Sequence, residues 1–252
     1  VNALFSWLAD PAHWSGPAGI PARLVEHLWY SILALALGAV VALPIGALVG
    51  HSRKGGFLIV GTANGLRALP ELGLLTLLVL LMGIGLLPVT LALAVLAVPP
   101  LLAGAYSGVR NVDPGAVDAA RGMGMREWQV LTKVELPNAL PLILGGFRSA
   151  ALQVIATAAV AAYVSFGGLG RFLIDGLRTR EYPQMAAGAV LVAVLALVVE
   201  GLLALLQRAV VSPGLRGGGR RSPTATVGRP APGPGSAHPD PVPTREPAGA
   251  EP

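Results

Sequence analysis

The residues with the most chemical content lie between Asp118 and Pro137, in the segment DAARGMGMREWQVLTKVELP. This charged stretch sits between two long apolar runs. Its spaced features are Asp118-Ala119-Ala120, then Gly124, then Val134, then Leu136-Pro137. Two adjacent alanines give a helix a slim face that can enter a groove on a partner. A carboxylate at Asp118 can pair with basic groups there, and Gly124 permits a fixed bend. Asp113-Pro114 is a good helix start, with an acceptor for free amides followed by a ring that suits the first helical position. The segment therefore predicts a short helix to about Arg121 or Gly122, a turn, and a second helix from about Arg126 that ends before Pro137. On residue types alone this fits either a docking elbow or an amphipathic helix lying in a membrane interface without a partner.

A second set of candidates falls within or beside apolar stretches: Arg67, Glu71, Arg148 and Glu200. Ionisable groups are costly in lipid and mark functional positions by default. Arg67 and Glu71 stand four residues apart and can pair on one helix face. Arg148 can snorkel to the cytoplasmic headgroups. Topology anchors and ion pairs, or contact with a translocated solute, are the two roles open to this set. Tyr106, Tyr163 and Phe166 are candidates to line a path, or packing residues. Other chemistries are excluded. Cysteine is absent, so there is no thiol nucleophile and no Cys-based metal site. The histidines His13, His27, His51 and His238 have no metal spacing. No G-x-x-x-x-G-K-[ST] phosphate loop is present.

The elements that hold these residues are apolar. Hydrophobic residues make up 54% of the 252 positions and charged residues only 12%, about half the share in soluble domains. Ser31 to Gly50 is a first run long enough to cross a bilayer core, with Trp29 and Tyr30 as interfacial anchors. A second span runs from about Phe57 or Leu66 to Met82, a turn falls at 82–88, and a third span follows at about 88–108. A fourth covers 139–166, and 167–183 is a glycine- and charge-bearing loop. A fifth span covers 186–207. The count is five, or six if 55–68 crosses independently. Glycine and alanine recur at close spacing, as at Gly145-Gly146, which lets helix backbones approach closely in lipid.

Five spans with Arg53-Lys54 inside place 110–137 and the C-terminus in the cytoplasm and the N-terminus outside, by the positive-inside rule. The net charge of +5 comes from loops and the C-terminal tail, which reads as topology rather than nucleic-acid binding. Only the 167–184 loop conflicts, with Arg171, Arg178 and Arg180. Beyond Ser212 the chain is rich in Pro, Gly, Ser and Thr, and 212–252 is expected to be disordered.

The spacing Asp-Ala-Ala-x3-Gly-x9-Val-x-Leu-Pro resembles the EAA loop of ABC-importer permeases, with Asp118 in place of Glu and Val134 in place of Ile. The segments at 66–85, 109–150 and 164–177 look like permease subunits of osmoprotectant importers, which carry glycine betaine, choline or carnitine. The resemblance covers about 25–208, leaving 1–24 as an extracytoplasmic segment. It implies an all-α integral membrane protein with the MetI-like type I ABC importer permease fold. The core would hold about five transmembrane helices and a cytoplasmic coupling-helix loop. In this resemblance Asp118, Ala119, Ala120, Gly124, Val134, Leu136 and Pro137 dock on an ABC ATP-binding subunit. That subunit holds ATP and Mg; this chain carries no cofactor. An extracytoplasmic solute-binding protein and a second permease subunit, identical or related, are the other implied partners, in a bacterial plasma membrane. Asp118 is one methylene shorter than Glu, which shortens its reach. An importer of another small polar solute such as an amino acid, an ion-coupled secondary transporter and a membrane scaffold are the alternatives.

Overall fold

The computed structural model describes residues 2–164 and 166–211, and no strand occurs among the described residues. The predicted tail at 212–252 lies outside them. The helices are α1 (Asn2–Ala9), α2 (Ile20–Ser52), α3 (Gly56–Arg67), α4 (Glu71–Met82), α5 (Leu86–Arg110), α6 (Pro114–Gly122), α7 (Glu127–Val130), α8 (Leu136–Ala158), α9 (Gly170–Thr179) and α10 (Tyr182–Val210). A π-helical turn, Leu131–Glu135, joins α7 to α8, and a 3-10 segment, Ala159–Val164, follows α8.

Helices α2, α5, α10 and the continuous helix from Glu127 to Val164 are each long and apolar enough to cross a membrane. Helices α3 and α4 form a pair bent by 80° that makes a fifth apolar element. Each has 12 residues, about 18 Å of helix, so neither crosses a hydrocarbon core of about 30 Å alone. The six-span reading therefore fails. The bend falls at Ala68–Pro70, where α4 starts after Pro70. It also separates Arg67, at the end of α3, from Glu71, at the start of α4. No ion pair joins them among the described residues. The expected pairing on one face is lost because the helix it required is broken.

Helix α5 is the centre of the bundle. Two thirds of its apolar window is buried, against 6% for α10. It packs between α2 and α8, and both contacts run on small residues. Along α2 the buried stripe is Gly38, Ala42, Gly46 and Gly50. A Cβ added at Gly46 would lie 2.8 Å from the Leu102 carbonyl oxygen and the Ala105 methyl. On the other side, Gly104 meets Gly146: a Cβ at Gly146 would sit 2.6 Å from the Pro100 carbonyl oxygen and 2.9 Å from the Gly104 Cα. Lipid tails are as apolar as leucine, so hydrophobicity alone does not hold such helices together; close backbone approach does.

Arg148 turns to α10, where its guanidinium donates to both Glu200 carboxylate oxygens and to Gln207 Oε1 at 2.8 Å. Gln207 in turn donates to the Pro141 carbonyl at 3.0 Å. The nearby carboxylate is a better partner than distant water for a charge that lipid would strand. The 167–183 stretch, expected as a loop, contains α9. This helix buries Gly170, Phe172, Ile174 and Gly176 and packs on α10. In α9, Arg171 pairs with Asp175 at 2.9 Å, and Arg178 donates to the Tyr163 carbonyl at 3.4 Å. Two of the three basic residues that conflicted with the topology thus have partners within the protein.

Two tests follow from this packing. Gly146→Val should cost about 3 kcal/mol or more, because the added atoms meet backbone that cannot yield. Gly145→Val, where a Cβ meets nothing within 4 Å, should be tolerated. Thermal unfolding of the two variants in detergent checks this. Arg148→Met should destabilise by about 3 kcal/mol through the unpaired Glu200, and adding Glu200→Leu should restore most of the loss; the same melting assay reads the cycle.

Candidate functional site

The segment 113–137 folds as an elbow between α5 and α8. Asp113 caps α6 by accepting from the Gly115 amide at 3.1 Å, and Pro114 occupies the first turn. The helix ends in a turn closed by two backbone bonds, Met125 N–H to the Ala120 carbonyl (3.2 Å) and Gly124 N–H to the Arg121 carbonyl (2.9 Å). That pair is the Schellman pattern, which needs a left-handed residue after the helix. Gly124 supplies it with φ +82°. Across the turn, the Arg126 amide donates to Gln129 Oε1 at 2.9 Å and α7 begins.

A small apolar core holds the two arms. Val112, Val117, Ala120 and Val130 are buried, with Met125 and Val134 packed against them. The alanine pair is thus divided. Ala120 is 2% exposed and lets α6 approach α7, whereas Ala119 lies on the open face. Asp118, Met123 and Trp128 share that exposure. Arg121 clamps the outside of the elbow, with two bonds of 3.0 Å to the Glu127 carboxylate. These bonds, more than any other cause, raise the Arg121 pKa above its ordinary value. Asp118 lies 3.7 Å from Arg121.

The second arm does not end before Pro137. The chain stays helical from Glu127 through Ala158, with Pro137 in the first turn of α8. A proline in a continuous α-helix removes one N–H and clashes with the carbonyl four residues earlier. The π turn just before it widens the spiral where that conflict would arise. Leu136 is half-buried and Pro137 exposed. The π turn also buries Glu135, which is 1% exposed. Its carboxylate accepts from His51 Nδ1 of α2 at 2.5 Å, and His51 Nε2 lies 3.2 Å from Glu127 Oε2.

The candidate path residues do not converge. Tyr106 is half-buried near the elbow end of α5, where its hydroxyl crowds Gly56 at the start of α3. Tyr163 is exposed at the opposite end, in the 3-10 segment. Phe166 meets Tyr30 edge-on at 5.4 Å. Arg67 is exposed. Glu71 accepts from Thr157 Oγ1 at 3.3 Å, and both line a narrow cleft with Leu75, Val89, Leu93 and Val160. At that same end a polar clamp holds the Gly167-Gly168 turn on α2. Glu26 accepts from the Gly168 amide at 2.8 Å and Tyr30 donates to the Gly167 carbonyl at 2.9 Å. Sequence reasoning named none of the residues Glu26, His51, Glu127 and Glu135 as site candidates, because their partners lie 84 to 142 positions away or across a turn. The one visible signal was a carboxylate, Glu135, set between Val134 and Leu136 immediately before α8.

The family model for the binding-protein-dependent transport system inner membrane component matches residues 34–216. The carnitine transport permease protein OpuCB of Listeria monocytogenes is 38% identical over 191 residues, covering 76% of this chain and 88% of that protein. The glycine betaine/carnitine/choline transport system permease protein OpuCB of Bacillus subtilis is 34% identical over 192 residues, with the same 76% and 88% coverage. Among solved structures, an inward-facing MetNI methionine ABC transporter chain superposes with a TM-score of 0.70 at 23% identity, over 81% of this chain and all of that one. At that identity it bears on the fold alone: this bundle shares the fold of that transporter chain. The chain is a multi-pass membrane protein and belongs to the family of binding-protein-dependent transport system inner membrane components.

Proposed function

We propose that this chain is the permease subunit of an ATP-driven importer of a quaternary ammonium osmoprotectant such as carnitine, glycine betaine or choline. Relatedness to permeases of those solutes, at 34–38% identity over three quarters of the chain, carries the cargo. That relatedness favours this cargo over an amino acid, and membership of a binding-protein-dependent family fits it better than an ion-coupled carrier. Two such subunits would form the pathway, and a solute-binding protein outside would deliver the cargo.

The elbow is the surface that fits an ABC ATP-binding subunit. It is a preformed bent helix pair of small exposed residues around Ala119, stiffened by its own core and by the Arg121–Glu127 clamp. In this reading Asp118, Ala119, Gly124 and the turn around Met123 face the partner. Ala120, Val134, Leu136 and Pro137 set the angle between the arms. The partner would hold ATP and Mg, and the elbow, the Arg53-Lys54 turn and the C-terminus would lie in the cytoplasm. ATP binding that favours one access state would shift the bundle toward it, because a ligand moves an equilibrium only by its unequal affinity for the two states. Glu71 and Thr157 in the cleft beside α5 are the candidates to meet a cationic solute; Arg148, engaged with Glu200, is assigned a structural role.

The deciding experiment is uptake of labelled carnitine, glycine betaine and choline by proteoliposomes containing the chain, the ATPase subunit and the binding protein. Uptake of at least one should require ATP and both partners. Uptake of none, with transport of an amino acid instead, would overturn the cargo. Ala119→Trp should leave the bundle's melting temperature unchanged but weaken ATPase-subunit binding about tenfold or more, a cost of roughly 1.4 kcal/mol; co-purification reads it. Gly124→Val should cost about 1 to 3 kcal/mol at its positive φ. It should appear as faster amide exchange confined to 114–130.

A further inference from the structure

The elbow must be joined to the spans if its motion is to move them, and α6 and α7 touch the bundle through few polar contacts. One of these is unlike the rest. Glu135 is a carboxylate with a side chain only 2% exposed, set in the π turn, and its recorded partner is His51 in the last turn of α2. A buried carboxylate is tolerated only when paired, so its placement depends on that imidazole. The other ring nitrogen of His51 faces Glu127, which begins α7 and also holds Arg121 of α6. The same end of α2 is tied to α5, where Arg110 donates to the Arg53 carbonyl at 3.0 Å. One side chain on the first span therefore touches both ends of the second arm of the elbow and, through Glu127, reaches the first.

We infer that His51 and Glu135 are positioning residues for transport: they form a latch that makes the elbow and the cytoplasmic end of α2 move as one body. This rests on the docking reading above. The contacts of Ala47, Val109, Leu131 and Ala139 beside it are apolar and carry no directed bond. The hydrogen bond to a charged group has a fixed direction and length. The π turn gives the latch its position, because it carries Glu135 inward, toward α2.

The test uses the full chain. His51→Phe with Glu135→Leu replaces both partners with apolar groups, which avoids the stranded charge that either single change would leave. The chain has no native cysteine, so spin labels can be placed on Met123→Cys in the elbow and Val40→Cys on α2, exposed by 76% and 73% respectively. Labelled chains diluted into unlabelled ones, in nanodiscs without ATPase, should give a narrow distance distribution. The latch-free pair should give a broad one. An unchanged distribution overturns the latch, whether or not the chain binds an ATPase, so the two readings fail separately. In proteoliposomes the double variant should still bind the ATPase subunit, while solute moved per ATP hydrolysed falls severalfold. Glu135→Gln, which still accepts from His51, should recover most of that ratio. A wild-type ratio in the double variant overturns the role in transport.

Discussion

Close approach of helix backbones is the constraint on which this protein depends. In lipid, apolar side chains gain little by leaving one apolar surface for another, so helices associate through short-range packing. Helix α5 achieves this on two sides. Gly38, Ala42, Gly46 and Gly50 of α2 press on one face, and Gly104, Gly108, Ala139 and Gly146 define the contact with α8. At Gly46, Gly50, Gly104 and Gly146 even an added methyl group would come within 2.9 Å of backbone. The outer helix α10 buries little of its apolar window; it meets α9 closely at Gly188 and is tied to α8 by a polar clamp, Arg148 with Glu200 and Gln207.

This arrangement leaves the elbow as a polar protrusion between two well-held spans. Its stiffness has local sources: a capped α6, a glycine-terminated turn, a four-residue apolar core and an outside ion pair. None of these needs the bilayer. What ties the elbow to the bundle is the continuous helix into α8 and the His51–Glu135 contact. The interruption that proline would cause is absorbed by the π turn, so the second arm of the elbow and the fourth span form a single rod. A push on one is a push on the other.

Legibility in the sequence followed the range of the forces involved. The five apolar elements, a turn within 82–88 and the start of α6 were readable because hydropathy and capping act over a few residues. The Gly124 turn was readable for the same reason. The elbow's second boundary was misread because Pro137 usually ends a helix, and nothing local announces a π turn that accommodates it. Helix α9 was read as loop: its charged face and glycines look like a connection, and its buried face makes sense only against α10. Arg67 and Glu71 had the right spacing for a pair, yet the break at Pro70 was the stronger signal. Arg148 and Glu200 were each recognised as costly in lipid, but not as each other's solution.

The sequence by itself determined that this chain lives in a membrane, which stretches are its long apolar spans, and where the polar elbow begins and bends, since composition, run length and short-range spacing specify those. The tertiary structure alone decided which face each small residue presents and that Ala120 is internal while Ala119 is open. It alone decided that His51, Glu127 and Glu135 meet. Those outcomes depend on helix rotation and on contacts spanning many tens of residues, where a one-residue π insertion re-aims a side chain. No local pattern encodes such a turn of the helix face.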